Sequence, residues 1–158
     1  MDVQLAVNDT FVLTRVYPHA PQRVFTAFAD PAKKRRWYAA GDHHDVEAFD
    51  MDFRVGGSER AVYRFRPGTP FAGATLTNEG VFLDIVTDCR VVMGSAMAMG
   101  DNRFSASLVT IELVPEGGGT KLVCTHHGSF FEGADGPQMR RQGWEKLLDR
   151  LSADLVRA

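Results

Sequence analysis

Residues Gly136 to Ala158 read GPQMRRQGWEKLLDRLSADLVRA, and this stretch decides the fold. Gly136-Pro137 marks a turn that opens a helix, because proline at a first helical position gives up an N–H that has no partner there. Met139, Trp144, Leu147, Leu148, Leu151 and Leu155 then recur close to helical spacing. From Pro137 to Arg157 such a helix would run roughly 30 Å at about 1.5 Å per residue, long enough to lie across a whole sheet. Just upstream, Gly117-Gly118-Gly119 joins two alternating segments as a hairpin. A long helix closing over a curved sheet can leave a cavity between the two, and that space is where a function would sit.

Upstream of the hairpin, alternation is the dominant signal. Strands are expected over Asp45 to Val55, Glu59 to Arg66, Thr75 to Thr87, Arg90 to Met99, Ser105 to Val114 and Thr120 to Phe130. Within them, Ala61, Tyr63 and Phe65 share a face, as do Val81, Leu83 and Ile85. So do Val91, Met93, Ser95, Met97 and Met99, and Leu122, Cys124, His126, Gly128 and Phe130. The opening reads differently. Phe11 to Tyr17 is a strand stopped by Pro18, Pro21 starts a short helix, and Asp30-Pro31 breaks it and starts a second through Trp37 and Tyr38. Short turns between consecutive strands make an antiparallel meander of about seven strands. The predicted fold class is α+β, in the order one strand, two helices, six strands and one long helix, as a single domain over residues 1–158.

Composition narrows the function classes. A chain of 158 residues can bury a core unaided, and 44% apolar with 24% charged residues argues against disorder. A formal net charge of -2 gives no bulk attraction to nucleic acid or anionic lipid. There is no apolar run of membrane-spanning length and no signal-peptide pattern at Met1 to Thr10, so a cytoplasmic protein without stable membrane insertion is expected. Cys89 and Cys124 both read as small buried hydrophobes in a reducing compartment.

The order of elements, together with particular residues, resembles the helix-grip fold of the START and SRPBCC superfamily. More narrowly it resembles homologues of the heat-shock-protein ATPase activator. The resemblance rests on Arg15 in the first strand, APQRVFTAFADPAKKRRWY at Ala20 to Tyr38, and DFRVGG at Asp52 to Gly57. It continues in EGVFLDI at Glu79 to Ile85, GGTKLVCTHHGSF at Gly118 to Phe130, and GWEKLLDRL at Gly143 to Leu151. The family often carries a Trp pair where this chain has Trp37-Tyr38. The resemblance implies a curved antiparallel sheet around a long C-terminal helix. It implies no single activity: relatives include ligand binders, lipid carriers, polyketide cyclases and aromatases, and chaperone co-factors. Function has to be argued from the site.

The candidate ligand-binding residues are Trp37, Tyr63, Phe65, Val81, Met93, Met97, Val109, His126, Phe130, Gly143, Trp144 and Leu147. Eleven Phe and six Met supply the apolar surface, and Met suits ligands of variable shape. Each of these residues also has a plain reading as core. Gly143, lacking a Cβ, would let the helix approach the sheet or a ligand closely. His126 falls among apolar neighbours, where it is a hydrogen-bonded core histidine, a ligand contact or a general base. No metal-ligand spacing is present, and no cofactor, phosphate-loop or nucleophile motif. Lys33-Lys34-Arg35-Arg36 reads as a solvated face rather than a nucleic-acid patch. Arg54 is expected to pair with Asp52, Glu79 or Asp84.

The expected function is binding of a hydrophobic or amphipathic small molecule between sheet and C-terminal helix. One alternative is an enzyme of cyclase, aromatase or hydrolase type using His126, Tyr63 and Arg15. Another is a chaperone-interacting co-factor working through an external surface. A homodimer is a further possible partner state.

Overall fold

The computed structural model describes residues 4–157. The chain runs β1 (Val7–Tyr17), α1 (Pro21–Ala29), α2 (Pro31–Lys34) and a π-helical turn (Arg35–Ala39). Then come β2 (His44–Met51), β3 (Ser58–Phe65), β4 (Thr75–Val86), β5 (Arg90–Met99), β6 (Asn102–Glu116), β7 (Gly119–Phe130) and α3 (Pro137–Leu155). The strands form one curved antiparallel sheet in the order β1-β7-β6-β5-β4-β3-β2. This is the α+β helix-grip architecture. β1 closes onto β7 because the two-helix segment crosses the sheet before the meander begins. No helix among the described residues is long and apolar enough to cross a membrane.

Local chemistry sets the helix boundaries. Asp30 ends α1 and caps α2, its Oδ1 accepting from the Ala32 and Lys33 amides. The helix continues through the π-turn, where an extra residue shifts the side-chain phase. That shift turns Trp37 into the core, its Nε1 donating to the Ala27 carbonyl, and lets the next residue, Tyr38, reach the space under α3.

The buried stripe of α3 is Arg140, Trp144, Leu148, Leu151 and Leu155, with Asp154 beside it. The stripe therefore includes Arg140, whereas Met139, expected on it, is 62% exposed. The C-terminal half of α3 packs against a dense core that includes Leu13, Tyr17, Val24, Phe28, Trp37, Leu113 and Leu122. Three polar ties fix it there. The Tyr17 hydroxyl donates to the Leu148 carbonyl at 2.9 Å. The Arg23 guanidinium donates to the Leu155 and Arg157 carbonyls, covering the exposed carbonyl end of the helix. Arg36 donates two bonds to the Asp154 carboxylate.

Several expectations are corrected. In β4 the inward residues are Leu76, Asn78 and Phe82, while Val81 is 43% exposed and Leu83 more so. A register shift between Phe82 and Asp84 then brings Ile85 back toward the core, so the face Val81-Leu83-Ile85 is broken by a bulge. Cys89 lies exposed in the turn between β4 and β5, and only Cys124 is buried; both are free thiols. Burial pushes the Cys124 thiol up to about 12. Lys34 is not solvated but buried. Of the three acids considered for Arg54 the partner is Asp52, at 2.7 Å.

Candidate functional site

A cavity of about 310 Å³ lies between the sheet and the N-terminal half of α3. Its origin is a row of cross-strand partners on the inner face. Gly80 of β4 faces Ser95 of β5, Ser95 faces Ser107 of β6, and Ser107 faces Gly128 of β7. No residue in this row is larger than serine, so the sheet floor is low there. The two glycines at the ends of the row are covered by neighbours. Met93 Sδ lies 3.0 Å from where a Gly80 Cβ would sit. The His126 ring and the Phe130 ring lie 2.8 and 2.9 Å from a Gly128 Cβ. The serines in the middle are left as the floor. The flanking inner rows carry more bulk: Asn78, Met97 and Phe130 on one side, with Ser105 between the last two and bonded by Arg140, and Phe82, Met93, Val109 and His126 on the other.

Of the residues expected at the site, Tyr63, Met93, Met97, Val109, His126, Gly143, Trp144 and Leu147 line the cavity. Four do not. Trp37 is spent in the core under α3. Phe65 packs at the far end of β3 against Phe71. Val81 faces outward, as described. Phe130 is buried beside the cavity wall, where its ring supports the Arg140 guanidinium at 5.1 Å and the His126 ring at 6.5 Å. Arg15 also lies away from the cavity, 3.7 Å from Asp149 on the outside of α3. Gly143 does border the cavity, but not as a point of close approach: a Cβ added to it would meet nothing within 4 Å.

The polar residues of the site were mostly missed. Lys34 Nζ lies 2.6 Å from Glu59 Oε1, and both side chains are almost wholly buried. The contact is an ion pair whose alignment does not make a hydrogen bond. The ammonium also sits 4.7 Å from the Tyr38 ring centre and 5.6 Å from that of Phe82. Arg140, 8% exposed, donates two bonds to Asp135 at 2.8 and 2.9 Å and further bonds to Ser105 and Ser107. This fork fastens the start of α3 to the loop before it and to β6. Sequence held one usable clue: Arg140 is one helical turn before Trp144, in line with Leu148. The Asn78 side-chain amide donates to the Tyr38 hydroxyl at 3.0 Å. His44 borders the same end, its Nε2 2.7 Å from the Ala39 carbonyl and its ring against Tyr63.

His126 is buried and stacked on Phe11, with ring centres 4.6 Å apart. Its Nδ1 has no hydrogen-bond partner among the described residues. Burial, and then the nearby Arg140 charge, lower its pKa from 6.5 to about 4, so the ring is neutral at physiological pH. Its neighbour His127 faces outward and meets the Thr10 hydroxyl at 2.8 Å. Burial, and then the Glu59 charge, push the hydroxyls of Tyr38 and Tyr63 up, which keeps both protonated. The cavity is therefore a mostly apolar chamber with neutral hydrogen-bonding groups, two internal ion pairs and, at its border, Arg150, which donates to the Ala40 carbonyl.

Comparison with known proteins agrees with this architecture. The family model described as Activator of Hsp90 ATPase homolog 1-like protein matches residues 18–155. The Mll3558 protein of Rhizobium loti is 44% identical, with a TM-score of 0.83 over 96% of this chain and 99% of that one. An uncharacterised protein of Rhizobium leguminosarum is 34% identical, with a TM-score of 0.88 over 97% of each chain. An AHSA1-like protein of Aeromonas hydrophila shares the fold at 21% identity, with a TM-score of 0.69 over 93% of this chain and 92% of that one. No curated protein matches the chain.

Proposed function

The chain belongs to the Activator of Hsp90 ATPase homolog 1-like family, and from that premise we propose that it binds a hydrophobic or amphipathic small molecule under the N-terminal half of α3. The observation that carries this is the chamber itself. A serine floor is walled by Met93, Met97, Val109, Trp144 and Leu147, with a few inward polar groups. Such a mostly apolar concavity with sparse polar contacts is the usual form of a small-molecule site.

Binding is favoured over catalysis by how the ionisable groups are used. A catalytic pair needs an acid or base free to exchange a proton with a bound molecule. Here Arg140 is engaged by Asp135 and Lys34 by Glu59. His126 has no carboxylate partner to orient it, and a group titrating near 4 is a weak base at neutral pH.

The test is titration with phenylnaphthylamine, an uncharged dye that fluoresces in apolar surroundings, alongside native mass spectrometry of freshly purified protein. Saturable dye binding, displaced by any compound that co-purifies, is expected. A dye signal that never saturates, from protein that carries no adduct, would refute the reading.

A further inference from the structure

The polar groups around the cavity divide into those already engaged and those with unused capacity. Lys34 and Glu59 neutralise one another, and so do Arg140 and Asp135. Arg150 borders the chamber, half-buried, and donates to the Ala40 carbonyl. Unused capacity remains at His126 Nδ1 on β7, described above, and at the β3–β4 end, where two such groups adjoin. Asn78 Oδ1 is fully buried with no partner among the described residues. The adjoining Tyr38 hydroxyl accepts from Asn78 Nδ2 and still holds its own proton. One buried acceptor and one donor thus flank a single hydrogen bond, on two residues that both line the chamber.

Resting on the binding reading above, we infer that the cavity selects a ligand whose buried polar group is an uncharged hydroxyl, held between the Tyr38 hydroxyl and Asn78 Oδ1. A hydroxyl accepts from Tyr38 and donates to Asn78, and it satisfies both with one atom. A carboxylate has no proton for Asn78 Oδ1, and Lys34, the cation over the Tyr38 ring, is already neutralised by Glu59. An ammonium would set a second cation next to Lys34, over the same Tyr38 ring. An ether accepts from Tyr38 but leaves Asn78 Oδ1 unpaired. Leaving one buried acceptor unsatisfied weakens binding by about tenfold or more.

The experiment is displacement of phenylnaphthylamine by dodecanol, its methyl ether and dodecanoate, in the wild type and in Asn78→Leu and Tyr38→Phe. Dodecanol should displace the dye at a concentration about tenfold below that of the ether, with dodecanoate weakest. The advantage of alcohol over ether should vanish in Asn78→Leu and shrink in Tyr38→Phe, which keeps the ring in place. Equal displacement by alcohol and ether in the wild type would overturn the inference while leaving the binding reading intact. So would an alcohol advantage that both variants retain, or dodecanoate as the best competitor. Failure of the dye to bind at all would remove both.

Discussion

The two halves of α3 meet the same sheet with opposite results. Toward its C-terminus, Leu148, Leu151 and Leu155 press onto Leu13, Leu113 and Leu122 and leave no space. Toward its N-terminus, Trp144, Leu147 and Gly143 look down on Ser95 and Ser107 across a chamber of about 310 Å³. The helix is continuous and the sheet is continuous, so neither explains the difference. Side-chain size along one row of cross-strand partners does. Where the row is Leu113 facing Leu122, the interior fills; where it is Gly80, Ser95, Ser107 and Gly128, it stays open. The filled half gives the fold its stability, and its polar ties to Tyr17, Arg23 and Arg36 hold the helix so that the open half need not collapse.

The largest expected contrast is between the two tryptophans. Trp37→Ala, in the filled half, should destabilise by about 3–5 kcal/mol in urea unfolding. Trp144→Ala should lose clearly less, because that indole borders the chamber and part of its surface faces open space rather than packed atoms. Equal losses would mean that the chamber is not open in solution.

A second contrast is acid sensitivity. Unfolded histidine binds its proton near pH 6.5, and native His126 only near 4. Between those values the unfolded chain holds more protons, so stability rises with pH there and falls as pH drops from about 6.5 to about 4. Replacement by phenylalanine (His126→Phe), which keeps the stack on Phe11, should remove that component from the pH–stability curve measured by thermal unfolding. An unchanged curve would place the imidazole in water.

The smallest effect concerns Gly143. Glycine in a helix interior is less favourable than alanine by about 0.5–1 kcal/mol, and a Cβ here meets only open space. Gly143→Ala should therefore stabilise slightly while weakening dye binding. A loss of stability would show that the chamber is narrower than described.

Much of this was legible in the sequence. Alternation and Gly or Pro punctuation placed the seven strands and three α-helices of the described residues, because half-buried strands write their faces into the chain. What failed has local physical causes. Val-Phe-Leu at Val81 to Leu83 is apolar on both faces, so alternation could not choose between Val81 and Phe82, and the bulge after Phe82 hid the answer. Trp37 and Tyr38 exchange roles because a π-turn adds a residue that helical spacing does not count. Lys34 looked like one charge in a solvated run. Its burial depends on Glu59, a residue on β3 that no local pattern connects to it. The floor of the chamber was the hardest to see, since a row of small residues exists only once four strands are in register.

The most direct test of the account is dye binding by Ser95→Leu. Ser95 lies in the middle of the low row, and its hydroxyl makes no hydrogen bond among the described residues that the substitution would break. Added bulk there should abolish saturable phenylnaphthylamine binding while the melting temperature stays level or rises. Wild-type dye affinity in a folded Ser95→Leu protein would contradict the claim that the small-residue row makes the site.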